Sequence, residues 1–146
     1  MAGFTLIELM VTLVVAAILF LVAIPAYQSQ IRSSRRTEAK TALLDLAGRE
    51  ETLFSTKNVY SNLPSDLGYG AVALPIQVGS NYYQVMLLSP DPASISQPSF
   101  TITATPVAGS SQAQDAACQS FSVDQLGNQT ALDSGGALNT KTCWGT

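Results

Sequence analysis

The sequence predicts an α+β fold: one long N-terminal helix packed on a small antiparallel sheet of about four strands. The helix is read as transmembrane in its first half and amphipathic in its second. Three observations carry this reading. From Leu9 to Ala26 there is no charge and one polar side chain, Thr12. After Tyr27, apolar residues recur at helical spacing as far as Phe54. Past Lys57, short alternating runs separated by Pro, Gly, Asn and Asp take over.

The apolar run comes first. Only 12% of the 146 residues are charged, against roughly 25% in ordinary soluble domains, and this run is the cause. A helix over residues 4–27 would be about 36 Å long at about 1.5 Å per residue, enough to cross a hydrocarbon core of about 30 Å. A buried core helix is the alternative; length and all-round apolarity favour the bilayer. A secretory signal peptide would have a basic start and a small-residue cleavage site after the run. Here Met1-Ala2 carries no Lys or Arg, and Pro25-Ala26-Tyr27 leads directly into a polar helical pattern.

That pattern is Ala39, Ala42, Leu43, Leu46, Ala47, Leu53 and Phe54 at spacings of three and four, with Arg36, Lys40, Asp45, Arg49 and Glu51 between them. It describes one apolar stripe on a helix. Nothing from Gln28 to Thr56 breaks it except Gly48, tolerated at about 1 kcal/mol. The reading is therefore a single helix from about Thr5 to about Ser55. Pro25 removes one backbone donor inside it and predicts a kink or local loosening.

The punctuation then changes. Asn62, Pro64, Asp66, Gly68 and Gly70 mark an irregular stretch up to about Gly79, docked by Leu63, Leu67 and Tyr69. Strand-like runs follow at Tyr82–Leu88, Phe100–Thr105 and Ser120–Asp124. Gln125-Leu126-Gly127-Asn128 reads as a turn into a return strand near Gln129–Leu132. Pro90-Asp91-Pro92 and the span from Pro106 to Ala113 are the connections, and Asp133 to Thr140 is loop. So small a sheet needs a cover, which the one-sided half of the helix supplies.

Net charge is −3. Arg32, Arg35, Arg36, Lys40, Arg49 and Lys57 lie together, while Lys141 is the one basic residue after position 57. The distal part has no electrostatic footprint for nucleic acid. The Arg cluster can attract lipid phosphates or form a solvated helix face. Cys118 and Cys143, an even pair, predict one disulfide in an oxidising compartment; two separate buried thiols are the alternative. With no His and two sulfurs, no metal site and no cofactor is expected. There is also no paired-carboxylate, nucleotide-loop or nucleophile–base pattern, so the expectation is that the chain is not an enzyme.

Glu8 is the oddity: a carboxylate in an apolar stretch, with no Lys or Arg within a helical turn. At a bilayer centre it would cost about 2.5–3.5 kcal/mol and need a partner; at the headgroup boundary it would cost little. Gly3-Phe4-Thr5-Leu6-Ile7-Glu8-Leu9-Met10 resembles the processing and methylation site of type IV prepilins, and the likeness runs on to Ile24-Pro25-Ala26-Tyr27. The resemblance is to the type IV pilin family (type IVa), whose fold is the one read above. It implies that a prepilin peptidase cuts the Gly3–Phe4 bond and methylates Phe4. Glu8 would then face the Phe4 ammonium of a neighbouring subunit. An α-amino group of pKa about 7.7–8 is mostly protonated at neutral pH, so the two charges would neutralise each other. Two departures stand out: the basic leader residues usual in the family are missing, and Ala17 replaces a common glycine, which leaves unwinding of the helix to Pro25.

Cys118, Phe121-Ser122-Val123-Asp124, Gly127, Thr130 and Cys143-Trp144 are also similar to the closing region of PilE-type pilins, minor or major. Trp144 is read as a core aromatic in preference to a receptor contact. The implied organisation is a leader remnant at 1–3, a membrane and filament-core helix at 4–27, and a head at 28–146 whose C-terminal region is bounded by 118 and 143. The implied function is a structural subunit of a type IV pilus, serving adhesion, twitching motility or DNA uptake. Implied partners are other pilin subunits, the peptidase, the inner-membrane pilus assembly machinery and, before assembly, membrane lipid. By the positive-inside rule Arg32, Arg35 and Arg36 would put the head in the cytoplasm; the cysteines and the resemblance put it in the periplasm, then outside the cell in the pilus. A type II secretion pseudopilin and a DNA-binding competence pilin are the alternatives, the latter placed low on charge.

Overall fold

A computed structural model describes residues 3, 5–70, 73–88 and 98–145. Pro90-Asp91-Pro92 and Phe4 lie outside the described residues. The chain divides into two compact units, Met1–Ser34 and Arg35–Thr146. Helix α1 spans Leu6–Lys57, with Pro25 inside it, and contributes to both units.

In the second unit α1 buries Ala39, Leu43, Leu46, Glu50 and Leu53. The spacing of four, three, four and three puts all five on one face. The helix stops at Asn58, whose φ of 56° is left-handed and whose N–H bonds the Phe54 carbonyl at 2.8 Å; asparagine tolerates that conformation as a C-terminal cap. A short 3₁₀ turn, Pro64–Leu67, follows and ends at Gly68 in the left-handed region.

The sheet has five strands rather than about four: β1 Ile76–Val78, β2 Tyr83–Leu88, β3 Thr101–Pro106, β4 Ser120–Asp124 and β5 Gln129–Leu132. They lie in sequence order, each antiparallel to the next. Register puts one row of side chains together: Ile76 opposite Val85, Val85 opposite Ala104, Ala104 opposite Phe121, and Phe121 opposite Ala131. A second row is Leu87, Ile102 and Val123. All eight are buried, because residues two apart share a sheet face. The other face carries Gln77, Gln84, Thr103, Ser122 and Thr130.

Helix stripe and inner sheet face form a single core. Aromatic rings link its parts: Phe54 stacks on Tyr60, Tyr60 meets Phe100 edge-on, and Phe121 lies between Tyr83 and Trp144. Cys118 and Cys143 form a disulfide with 5.8 Å between their Cα atoms. Cys143 belongs to a last short helix, α2, Thr140–Trp144. Trp144 is a core residue as expected: its ring packs on Phe121 and its Nε1–H bonds the Thr130 carbonyl at 2.9 Å.

Candidate functional site

The first unit is a helix without a core. From residue 5 to residue 27 every described side chain is exposed except the half-buried Ala16. Leu6, Leu13, Leu19, Phe20, Leu21 and Val22 each show more than 60% of their surface. A soluble monomer rarely exposes an apolar patch beyond a few hundred Å², so this surface requires lipid or other helices around it. The one hydroxyl in the run is satisfied within the helix, with Thr12 Oγ1 donating to the Leu9 carbonyl at 2.9 Å. Glu8 stands in the first turn of α1. Among the described residues no hydrogen bond or ion pair reaches its carboxylate. A negative charge is favourable there, because the first N–H groups of a helix have no partners of their own. Ala17, Phe20, Leu21, Ile24 and Pro25 line a shallow apolar hollow on the same segment.

The second unit shows what the basic cluster does. Arg36 grips Asp115 with two hydrogen bonds of 2.7 and 2.6 Å, and the bond to Asp115 holds the guanidinium above its ordinary pKa. Bidentate arginine–carboxylate pairs fix orientation as well as charge. Gln112, fully buried, donates to both Asp115 and the Tyr83 hydroxyl at 2.9 Å. Burial pushes Tyr83 up to about 12. Arg35 lies 3.5 Å over the Tyr82 ring and donates to Ser111. Lys40 reaches the Cys143 carbonyl at 3.3 Å. Arg49 bonds Asp45 and the Leu67 carbonyl and sits over the Tyr69 ring. The Tyr69 hydroxyl, and then Arg49, hold the Asp45 carboxyl below the usual range. Arg35 and Arg36, read as a lipid-facing or solvated cluster, instead bind the head to its own helix.

Two residues escaped the sequence reading. Glu38 on α1 accepts the Ser80 N–H at 2.9 Å, in the turn between β1 and β2. Glu50 occupies a core position of the helical stripe with no exposed surface. The signal for Glu50 was present, since it lies four residues after Leu46 and three before Leu53. Its residue type concealed it.

Residues 1–24 match the prokaryotic N-terminal methylation motif. Residues 25–122, well over half of the chain, match the family described as type IV minor pilin ComP, DNA uptake sequence receptor. The chain belongs to this family of type IV pilins. The pilin is also similar to the type IV major pilin protein PilA of Myxococcus xanthus (strain DK1622), with 39% identity over 67 residues. That alignment covers 46% of this pilin and 30% of the relative. The methylation motif includes Gly3, Phe4 and Glu8. The ComP match begins at Pro25 and takes in most of the head, including Cys118, and ends before Cys143.

Proposed function

We propose that this pilin is a filament subunit of a type IV pilus, held as a single-pass protein in the inner membrane before assembly and carried outside the cell in the pilus. One observation carries the reading: a helical segment apolar on every side, uncovered but for the half-buried Ala16 and with a lone carboxylate in its first turn, coincides with the methylation motif. Cleavage of the Gly3–Phe4 bond creates an ammonium at Phe4, and methylation keeps its charge. In a bundle of such helices Glu8 of one subunit neutralises Phe4 of the next and fixes their register. A subunit lacking one member leaves the other buried and unpaired, at about 3–5 kcal/mol. Glu8→Ala is therefore expected to insert in the membrane normally and to be depleted from sheared filaments. Mass spectrometry of those filaments should find peptides beginning at N-methylated Phe4. Uncut Gly3–Phe4 in cells with an active peptidase would sink the reading. The same preparation separates a major subunit, abundant, from a minor one, present in traces, and a pilus protein from a secretion pseudopilin, absent.

A second reading, capture of DNA during uptake, is favoured by the ComP description. Charge supports it only narrowly. Arg35, Arg36, Lys40 and Arg49 already have partners within the head, which leaves Arg32, Lys57 and Lys141 without a described side-chain partner. Binding through few phosphates has a shallow salt dependence, with a slope of about −0.9 per phosphate neutralised. Titration of detergent-solubilised pilin with duplex DNA at several salt concentrations measures that slope. No binding at low salt would remove this reading.

A further inference from the structure

Three buried side-chain oxygens lack a hydrogen-bond partner among the described residues: Ser110 Oγ, Gln112 Oε1 and Glu50 Oε1. The first two are neutral. Glu50 is an acid with no exposed surface, in a stripe otherwise made of Ala and Leu. Its other oxygen accepts one bond, from the Ser61 N–H at 3.2 Å. An ionised carboxylate needs several donors or a cation when removed from water. Neither is at hand. From its own helix the neighbouring charge is Glu51, which accepts the Tyr60 hydroxyl at 2.9 Å. From the 3₁₀ turn it is Asp66, which accepts the Ser61 hydroxyl. The cation one residue away, Arg49, is taken by Asp45 and the Leu67 carbonyl. From the segment after α1 the titratable neighbour is Tyr60, which burial pushes up to about 12 and so keeps neutral near pH 7; Phe100, just before β3, meets Tyr60 edge-on and carries no charge.

The one donor to Glu50, Ser61, and one of its two acidic neighbours, Asp66, belong to a single segment, residues 58–70, which folds back on the last turns of α1. Tyr60 stacks on Phe54, Tyr69 bonds Asp45, and Leu67 is buried in the core. We propose that Glu50 is a proton-operated latch for this segment, closed while the carboxyl is protonated and released when it ionises. The protonated acid is neutral and fits an apolar site. Ionised, it gains its missing donors only from water, which enters when segment 58–70 lifts.

Burial, reinforced by Glu51 and Asp66 and opposed by the Ser61 N–H, pushes Glu50 up to about 7. A solvated carboxyl titrates near 4.5. Between those limits the docked state holds a proton that the open state has lost. Docking is therefore strongest at acid pH, weakens as pH rises toward 7, and levels off above it. The opening equilibrium should grow by up to tenfold per pH unit within that window, roughly a hundredfold between pH 5 and 8.

Amide hydrogen exchange on the detergent-solubilised full chain tests this from pH 5 to 8. The probes are Gly68 and Tyr69, whose N–H groups bond Ser65 and Pro64 within the segment and do not touch Glu50. Comparing wild type with Glu50→Gln at each pH cancels the intrinsic chemistry of exchange. The ratio should climb roughly a hundredfold and then level, while amides at Leu43 and Leu46 keep a constant ratio. A flat ratio at Gly68 and Tyr69 overturns the latch. Should Glu50→Gln fail to fold, the carboxyl carbon resonance of Glu50 in the wild type decides. A midpoint near 7 with segment exchange following it supports the latch; an ordinary midpoint, or a raised one with no change in exchange, overturns it.

Discussion

The two halves of α1 place a glutamate in opposite settings. Glu8 stands at the start of a segment that buries nothing, and Glu50 stands inside a stripe that buries everything on one face. Both lack a counter-charge among the described residues, but for different reasons. The first half is apolar all round, so its partners have to come from other molecules. The second half is one-sided, and the chain supplies its own partners: Asp115 for Arg36, Tyr82 for Arg35, Ser80 for Glu38. One continuous helical sequence thus contains an unfinished surface and a finished one. The pattern of polar residues alone tells them apart.

The largest test of that contrast attacks the finished half. Phe121, fully buried between Tyr83 and Trp144, should cost about 3–5 kcal/mol as Phe121→Ala. Denaturant unfolding of the head, followed by tryptophan fluorescence, should shift by that amount while membrane insertion stays normal. If insertion falls equally, the two regions are not independent. Arg36→Ala comes next, because it strands Asp115, which is only 4% exposed in its side chain. A loss of about 3 kcal/mol is expected, and Arg36→Ala with Asp115→Asn together should lose less than the sum of the two single changes. Strict additivity would mean that the clamp contributes no coupling.

The smallest test concerns the β1–β2 turn. Gly79 has φ of 58°, and a Cβ there would come within 2.4 Å of Glu38 Oε2. Gly79→Ala should therefore cost about 1–2 kcal/mol from backbone strain, with an added penalty from displacing Glu38. Glu38→Ala in the same chain should relieve only the second part. A full rescue would show that the contact outweighs the backbone conformation.

Much of this architecture is legible in the amino-acid sequence. The helix runs Leu6–Lys57 against an expected Thr5–Ser55, because its stripe was long and uninterrupted. Strand β2 was legible from the alternation of Tyr83, Val85 and Leu87. Strand β1 was not. It is three residues long and lies between Leu74-Pro75 and Gly79, too short for a period to register. The five-residue helix α2 was missed for the same reason. Glu50 was concealed by chemistry, since a carboxylate at a stripe position reads as a solvated residue until the core is seen around it. The role of the arginines was concealed by distance, because Arg36 and Asp115 are 79 positions apart.

The disulfide has a consequence of another kind. It joins residues 25 positions apart, and the segment between them includes the turn at Leu126, which is 76% exposed. Exposed turns are where proteases cut. A chain nicked there would still travel as one piece on a non-reducing gel and would fall into two after a reductant is added. On the outside of a cell, such a head can be clipped without shedding its C-terminal end.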